Sequence, residues 1–279
     1  MESLVQAAQR DDHKVVSLPP FLPVMDKRAM RLERGQLCMV VGPPNSMKSA
    51  LSLWYALHAR VSTFYFSADT DRRTTEYRAA ANKTQYTFDE VKGMVGTSAE
   101  DIIDDARREI TDDGLVFCFD PSLSLRDIDL EIQAYEEVFG EGHLSLVIID
   151  NLLNMNSGEA GDFAALIDSL AALHSLARAK DVAIMVLHHV NVRDGQRAFE
   201  FPHGQNAIRG RVSQYPEMIL SLASLPEEQQ LRVACVKHRH ATPSVSGEDF
   251  VTVYVDAPRM TFYDTLGDLK NAEKLREYQ

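Results

Sequence analysis

Cysteine, long apolar runs and positive charge are all scarce in this chain of 279 residues. There are three cysteines, an odd number that argues against a framework of paired disulfides. Cys38, Cys118 and Cys235 sit in strand-like runs (LCMVV, LVFCF, RVACVK), which is where buried, reduced thiols of a cytosolic protein lie. No apolar run reaches the roughly 18 residues of a membrane span, so no membrane partner is expected. The first residues, MESLVQAAQRDDHK, lack the basic-then-apolar layout of a secretory signal, and a cytoplasmic location follows as the expectation. Lys and Arg number 29 against 41 Asp and Glu, a formal charge of −12. That deficit is local. Between Glu100 and Glu141, fourteen acidic residues face only Arg107, Arg108 and Arg126, a net of −11. This stretch reads as two solvated helix faces, with a basic partner as the alternative. The rest of the chain is close to neutral, so the acidic balance does not exclude nucleic acid.

The richest stretch is 36–60, QLCMVVGPPNSMKSALSLWYALHAR. An apolar run over 37–41 has the make-up of a buried strand. Gly42, Pro43 and Pro44 end it, Asn45, Ser46 and Met47 follow, and Lys48-Ser49 opens a segment with Leu51, Trp54, Tyr55 and Leu57 at helical spacing. Strand, loop and helix in this order suit a phosphate-binding loop, because N–H groups at a helix start face an anion favourably. In that reading Lys48 reaches the β/γ-phosphates of ATP and the Ser49 hydroxyl binds Mg²⁺. Gly42, Lys48 and Ser49 match G-x-x-x-x-G-K-[ST], but Met47 stands where the second glycine belongs. If the backbone there suits only glycine, methionine costs about 1 kcal/mol. A plain strand-turn-helix with a chance lysine is the competing reading.

Further strands are expected over 61–67, 115–119, 144–149 and 182–187, alternating with helices. Ser98 is expected to cap a helix with acidic Asp101 three residues on, and Ser124 to cap one running to Gly140. After 218 come strand-like runs without helices (218–222, 231–236, 250–255, 260–263), then a charged helix over 268–279. This order predicts an α/β fold: a mostly parallel central sheet flanked by helices, with an antiparallel C-terminal extension. The proline-rich 18–23 stretch should lie extended across a surface, its own or a neighbour's.

Chemistry gathers at the strand tips. Asp150 follows the apolar 144–149 run, as a carboxylate beside a phosphate-binding loop does. Asp69, after the second strand, could polarise a water or simply cap a turn. His188 and His189 end the fifth strand and point to opposite faces, a poor metal pair. His189 could sense a γ-phosphate, while His188 reads equally well as a satisfied buried histidine. The 191–210 loop carries Arg193, Arg197 and Arg209, with Arg211 just beyond, and interleaves Phe199 and Phe201. Cations with aromatics suit a sugar–phosphate backbone with stacked bases, although a mobile surface loop is the alternative. Lys237 and Arg239 alternate, so both project from one strand face.

The runs GPPNSMKS, YFSAD, LVIID, LHHVN and KHRH, in that order, resemble the ATPase core of the RecA superfamily, and within it the hexameric helicases of the DnaB and RepA types. The resemblance spans roughly 24–264, leaving an arm over 1–23 and a charged tail over 265–279. It implies a RecA-like P-loop core using ATP and Mg²⁺, with Lys48 and Ser49 on phosphate and metal, Asp150 as the second acidic motif, and Asp69 at the catalytic glutamate's place. Asp69 is one methylene shorter than glutamate, which together with Met47 implies slower hydrolysis. His189 takes the sensor position, and Lys237 and Arg239 take that of a pair acting across a subunit interface. The 191–210 loop takes that of the DNA-contacting loop, and the arm that of a brace on a neighbour. The implied activity is a DNA helicase or translocase working as a homo-oligomer, a hexameric ring, on single-stranded DNA in replication or recombination. A strand-annealing or strand-exchange ATPase and a low-turnover nucleotide-binding regulator or loader are the alternatives.

Overall fold

The computed structural model describes residues 16–152, 163–190, 197–208 and 210–277. The strands are β1 (Leu37–Gly42), β2 (Thr63–Ser67), β3 (Leu115–Cys118), β4 (Leu146–Asp150), β5 (Ala183–His189), β6 (Met218–Leu225), β7 (Gln230–His238), β8 (Val251–Asp256) and β9 (Thr261–Tyr263). They form one sheet in the order β3-β2-β4-β5-β1-β6-β7-β8-β9. The helices are α1 (Pro23–Asp26), α2 (Lys48–Ala59), α3 (Arg72–Thr84), α4 (Phe88–Met94), α5 (Glu100–Asp112), α6 (Leu125–Phe139), α7 (Phe163–Lys180), α8 (Arg197–Glu200) and α9 (Leu266–Glu277).

Strands β1, β2, β4 and β5 are buried on both faces, which is why they read as unbroken apolar runs. Alternate residues serve two cores. Cys38, Val40, Ile148 and Leu187 face α2 and the C-terminal strands. Met39, Val41, Ile149 and Val186 face α6 and α7. The antiparallel extension is one strand narrower than expected. β6 still pairs parallel with β1, Cys38 opposite Met218, and the chain reverses only at β7. A short turn at Pro226–Glu228, with Gln229 left-handed, makes that reversal. It permits an antiparallel partner only, because a parallel one needs a long crossover.

Two helix starts also differ from expectation. Ser98 does not cap α5, whose N-cap is Ala99 with no side-chain bond. The nearby acid is used differently, since Glu100 accepts from the Gly96 N–H at 2.8 Å. α4 has no counterpart among the expected helices, although Thr87 and Glu90 form a full capping box. It buries only Val91, too little apolar periodicity to announce a helix. Ser124 does cap α6, with Asp127 completing the box, and Gly140 ends it.

The proline-rich arm lies on its own domain. Leu18, Phe21 and Leu22 are buried, Phe21 stacks on Tyr55 at 4.1 Å, and the Tyr55 hydroxyl donates to the Pro19 carbonyl at 2.7 Å. Burying such side chains contributes on the order of 2 kcal/mol each. Cys38 and Cys235 are buried and Cys118 half-buried; all three are free thiols. Among the described residues, no helix is long and apolar enough to cross a membrane.

Candidate functional site

The loop between β1 and α2 is held by close packing. A Cβ on Gly42 would lie 2.3 Å from the Ser46 hydroxyl and 3.0 Å from the Leu222 carbonyl, so only glycine fits without displacement. Pro44 and Asn45 are exposed at the crown, while Pro43 and Ser46 are buried beneath it. Met47 has φ 64° and ψ 22°, the left-handed region that glycine enters freely. Its side chain is half-buried against the core on the α2 face. α2 therefore begins without a side-chain cap and without an acidic residue in its first turn. Among the described residues no carboxylate or hydroxyl caps its first N–H groups, which fits the anion that the sequence predicts there.

Lys48 is buried, and its ammonium folds back over the loop. It donates to the carbonyls of Gly42 at 3.0 Å and Pro43 at 2.9 Å, and lies 3.3 Å from both the Ser46 hydroxyl and His189 Nδ1. Burial pulls its pKa down to about 8, opposed by the charges of Asp150 and Asp69. His189 is held below its ordinary value, chiefly by burial and then by the Lys48 charge. His188 points into the opposite core. Burial lowers its pKa to about 4, and among the described residues its Nδ1 finds no partner. His188 is thus buried with Nδ1 unpaired among the described residues.

Asp150 is buried at the tip of β4. Burial raises its pKa, countered by hydrogen bonds from Ser49 and Tyr65. The Tyr65 hydroxyl donates to Oδ2 at 3.0 Å. Ser49 and Asp150 thus present two hard oxygens side by side, the donor chemistry that fits Mg²⁺. Asp69 is exposed beside them. Its N–H donates to the Asp150 carbonyl at 3.2 Å, Asn151 Nδ2 lies 3.5 Å from Oδ2, and its charge acts on Lys48, Asp150 and His189 alike. Lys48, Ser49, Asp69, Asp150 and His189 therefore form one cluster. Tyr65 and Asn151 carry no signal in the sequence that marks them as part of it. Tyr65 needs the β2–β4 register, which pairs it with Ile148, two residues before Asp150 and on the same face.

Lys237 and Arg239 lie elsewhere. β7 runs antiparallel to β6, so its end meets the start of β6 and β1, where Glu217 and Leu37 exchange hydrogen bonds. That is five residues down β1 from Gly42, roughly 17 Å from the loop at strand rise. Both cations face the 3-10 turn Gly210–Gln214 and the residues after it. Lys237 Nζ donates to the carbonyls of Ser213 at 2.5 Å and Gln214 at 3.0 Å, and Arg239 Nη2 to those of Gln214 at 3.4 Å and Tyr215 at 3.3 Å. The Lys237 pKa falls to about 8, first from burial and then from Arg239, with Glu217 opposing.

Of the loop residues, Arg193 and Arg209 lie outside the described residues, as do the side chains of Arg197 and Arg211. The loop is more ordered than its lack of period suggested: α8 and the 3-10 turn Gln205–Ala207 fall within it. Phe199 is 55 % exposed, free to stack. Phe201 is half-buried, with the Arg232 guanidinium 4.9 Å from its ring and Phe250 at 5.9 Å. Arg232 Nη1 also donates to the Glu200 carbonyl at 2.8 Å, fixing the end of α8 to β7.

The profile of the AAA domain family matches residues 9–195. The chain is 32 % identical over 245 residues to the Gene 65 protein of Mycobacterium phage L5, covering 85 % of this chain and 88 % of that one. It is 26 % identical over 211 residues to the replicative DNA helicase DnaB of Leifsonia xyli subsp. xyli, covering 71 % of this chain and 44 % of that one. Among solved structures, a DnaB-like replicative helicase superposes with a TM-score of 0.76 at 15 % identity, covering 94 % of this chain and 65 % of that one.

Proposed function

Because this chain belongs to the AAA domain family, as an ATPase on the RecA-like core shared with DnaB-type helicases, we propose that it is an ATP-driven DNA motor. It acts as a helicase or translocase on single-stranded DNA, as a ring of identical subunits numbering six by the DnaB resemblance. Lys48 exchanges the carbonyls of Gly42 and Pro43 for the β/γ-phosphates of ATP, a stronger, charge-assisted set of acceptors. Ser49 and Asp150 would hold Mg²⁺, which when bound would neutralise phosphate charge. Asp69, exposed beside them, orients the attacking water. As Lys48 moves, His189 loses or reshapes its contact, so the tip of β5 responds to the state of the nucleotide. Arg193, Arg197, Arg209 and Arg211 neutralise DNA phosphates, and Phe199 offers a ring to a base.

The observation that carries this reading is the separation of the two charged groups. The pocket sits at one end of the sheet and Lys237 with Arg239 at the other, too far apart for one side chain to bridge. A neighbouring subunit can supply the missing cations, and an arginine in trans is worth ~10³–10⁵ in rate in comparable sites. ATP turnover should be measured with and without single-stranded DNA for wild type, Lys48→Ala and Arg239→Ala. DNA-stimulated turnover lost in both variants supports the motor. A protein that stays monomeric with ATP and DNA, and whose Arg239→Ala form keeps the wild-type rate, refutes it.

A further inference from the structure

Glu217 is a carboxylate only 7 % exposed at the start of β6. A charge that deep persists only with partners. Its Oε2 accepts from the Leu37 N–H at 3.0 Å, and its Oε1 accepts from His174 Nε2 at 2.8 Å. These two donors belong to β1 and α7, the rigid middle of the domain. They fix the carboxylate in place. The third partner is different in kind. Arg239 Nη1 stands 3.7 Å from Oε1, and its side chain is 44 % exposed. The Arg239 N–H also donates to the Glu217 carbonyl at 3.0 Å. Among the described residues, the guanidinium otherwise meets only the Gln214 and Tyr215 carbonyls, at long range.

We propose that Glu217 is a positioning residue for Arg239, aiming its guanidinium toward the adjoining subunit's pocket. The inference rests on the reading that Arg239 acts in trans. Two physical facts support the role. First, Lys237 and Arg239 are like charges on one strand face, and Arg239 disfavours the charged form of Lys237. A fixed anion beside them lets both remain charged and close. Second, a long exposed arginine with no ionic partner samples many rotamers, and only the geometry in which it meets the transition state is useful. A misplacement of about 1 Å costs up to ~10²-fold in rate. The carboxylate contact is loose and the side chain is 44 % exposed, so a phosphate can displace the long Nη2 bonds to the Gln214 and Tyr215 carbonyls.

The test is Glu217→Gln, which keeps the shape and the acceptor for Leu37 but removes the charge. Turnover per subunit should fall about 10- to 100-fold with KM for ATP unchanged. In an Arg239→Ala background the same change should have no further effect. Mixing separates positioning from general damage. Glu217→Gln subunits keep a good pocket, so adding Lys48→Ala subunits, which still offer a well-aimed Arg239, should restore part of the activity. Adding Arg239→Ala subunits should not. A Glu217→Gln protein that turns over at the wild-type rate, while Arg239→Ala is inactive, overturns the positioning role and leaves the trans reading standing. If Arg239→Ala is itself fully active, the trans reading falls first. Should Glu217→Gln unfold below the assay temperature, His174→Gln loosens the same carboxylate from the other side. A threefold or larger loss of kcat at constant KM then supports the role, and an unchanged kcat overturns it.

Discussion

Replacing Lys48 with methionine should stabilise the nucleotide-free protein while abolishing its binding of ATP. The residue is 5 % exposed, and burial lowers its pKa from 10.5 to about 8. That gap corresponds to roughly 3 kcal/mol of bias against the charged form. Methionine keeps most of the apolar stem and deletes the charge. It also leaves the Gly42 and Pro43 carbonyls without their donor, a loss of about 1 kcal/mol each. The net gain at neutral pH is therefore on the order of 1 kcal/mol. The sign of the pH dependence follows from linkage. The folded-state pKa lies below the unfolded value, so the unfolded chain binds more protons between about 8 and 10.5. The penalty is full below about pH 8 and fades as pH rises toward 10.5. Urea unfolding of both proteins, without nucleotide, at about pH 7 and about pH 9.5 isolates Lys48 from other titrating groups. The advantage of Lys48→Met should shrink by about 2 kcal/mol and change sign over that interval. ATP affinity should move the other way in wild type: steady below about pH 8, then weakening by up to about tenfold per pH unit, because phosphate needs the ammonium. A stability difference that ignores pH would mean that the fold does not oppose the Lys48 charge. ATP bound normally by Lys48→Met would remove Lys48 from the phosphate site.

Gly42→Ala should lower ATP affinity at least about tenfold and destabilise the domain by about 1–3 kcal/mol, because the new Cβ meets the fixed Leu222 carbonyl at 3.0 Å; wild-type binding by calorimetry would show that the loop yields. Asp69→Asn should still bind nucleotide while hydrolysis falls by ~10²–10⁴, whereas equal steady-state rates would reduce Asp69 to a turn residue. Met47→Gly relieves a left-handed non-glycine backbone and should leave turnover equal or higher, so a strong drop in rate would reveal a task for the thioether itself. Arg193→Glu with Arg197→Glu should weaken single-strand binding and flatten its dependence on salt, leaving basal ATPase alone; if affinity and salt slope both survive, the DNA path lies elsewhere.

What the sequence made legible is what a short run of residues can carry. A buried parallel strand is one continuous apolar stretch, and its tip is the next polar residue, so Gly42, Asp69, Asp150 and His189 could be placed before any register was known. Met47 could be flagged because the phosphate-loop pattern names the position, and its backbone does adopt the conformation that glycine would have taken without strain. The partners of these residues were not legible, because each is set by register across the sheet. Tyr65 meets Asp150 from 85 positions away, and Glu217 meets Leu37 from 180 and His174 from 43. No local period marks such a residue. Glu217 reads in the chain as one more acid in a strongly acidic protein, and Arg232 as one more strand-edge cation. Register also decided where the two strand-end cations lie. The alternation of Lys237 and Arg239 placed them on one face, but not at one end of the sheet. Only the reversal at Gln229 turns β7 back and carries those cations to the end of the sheet away from Lys48.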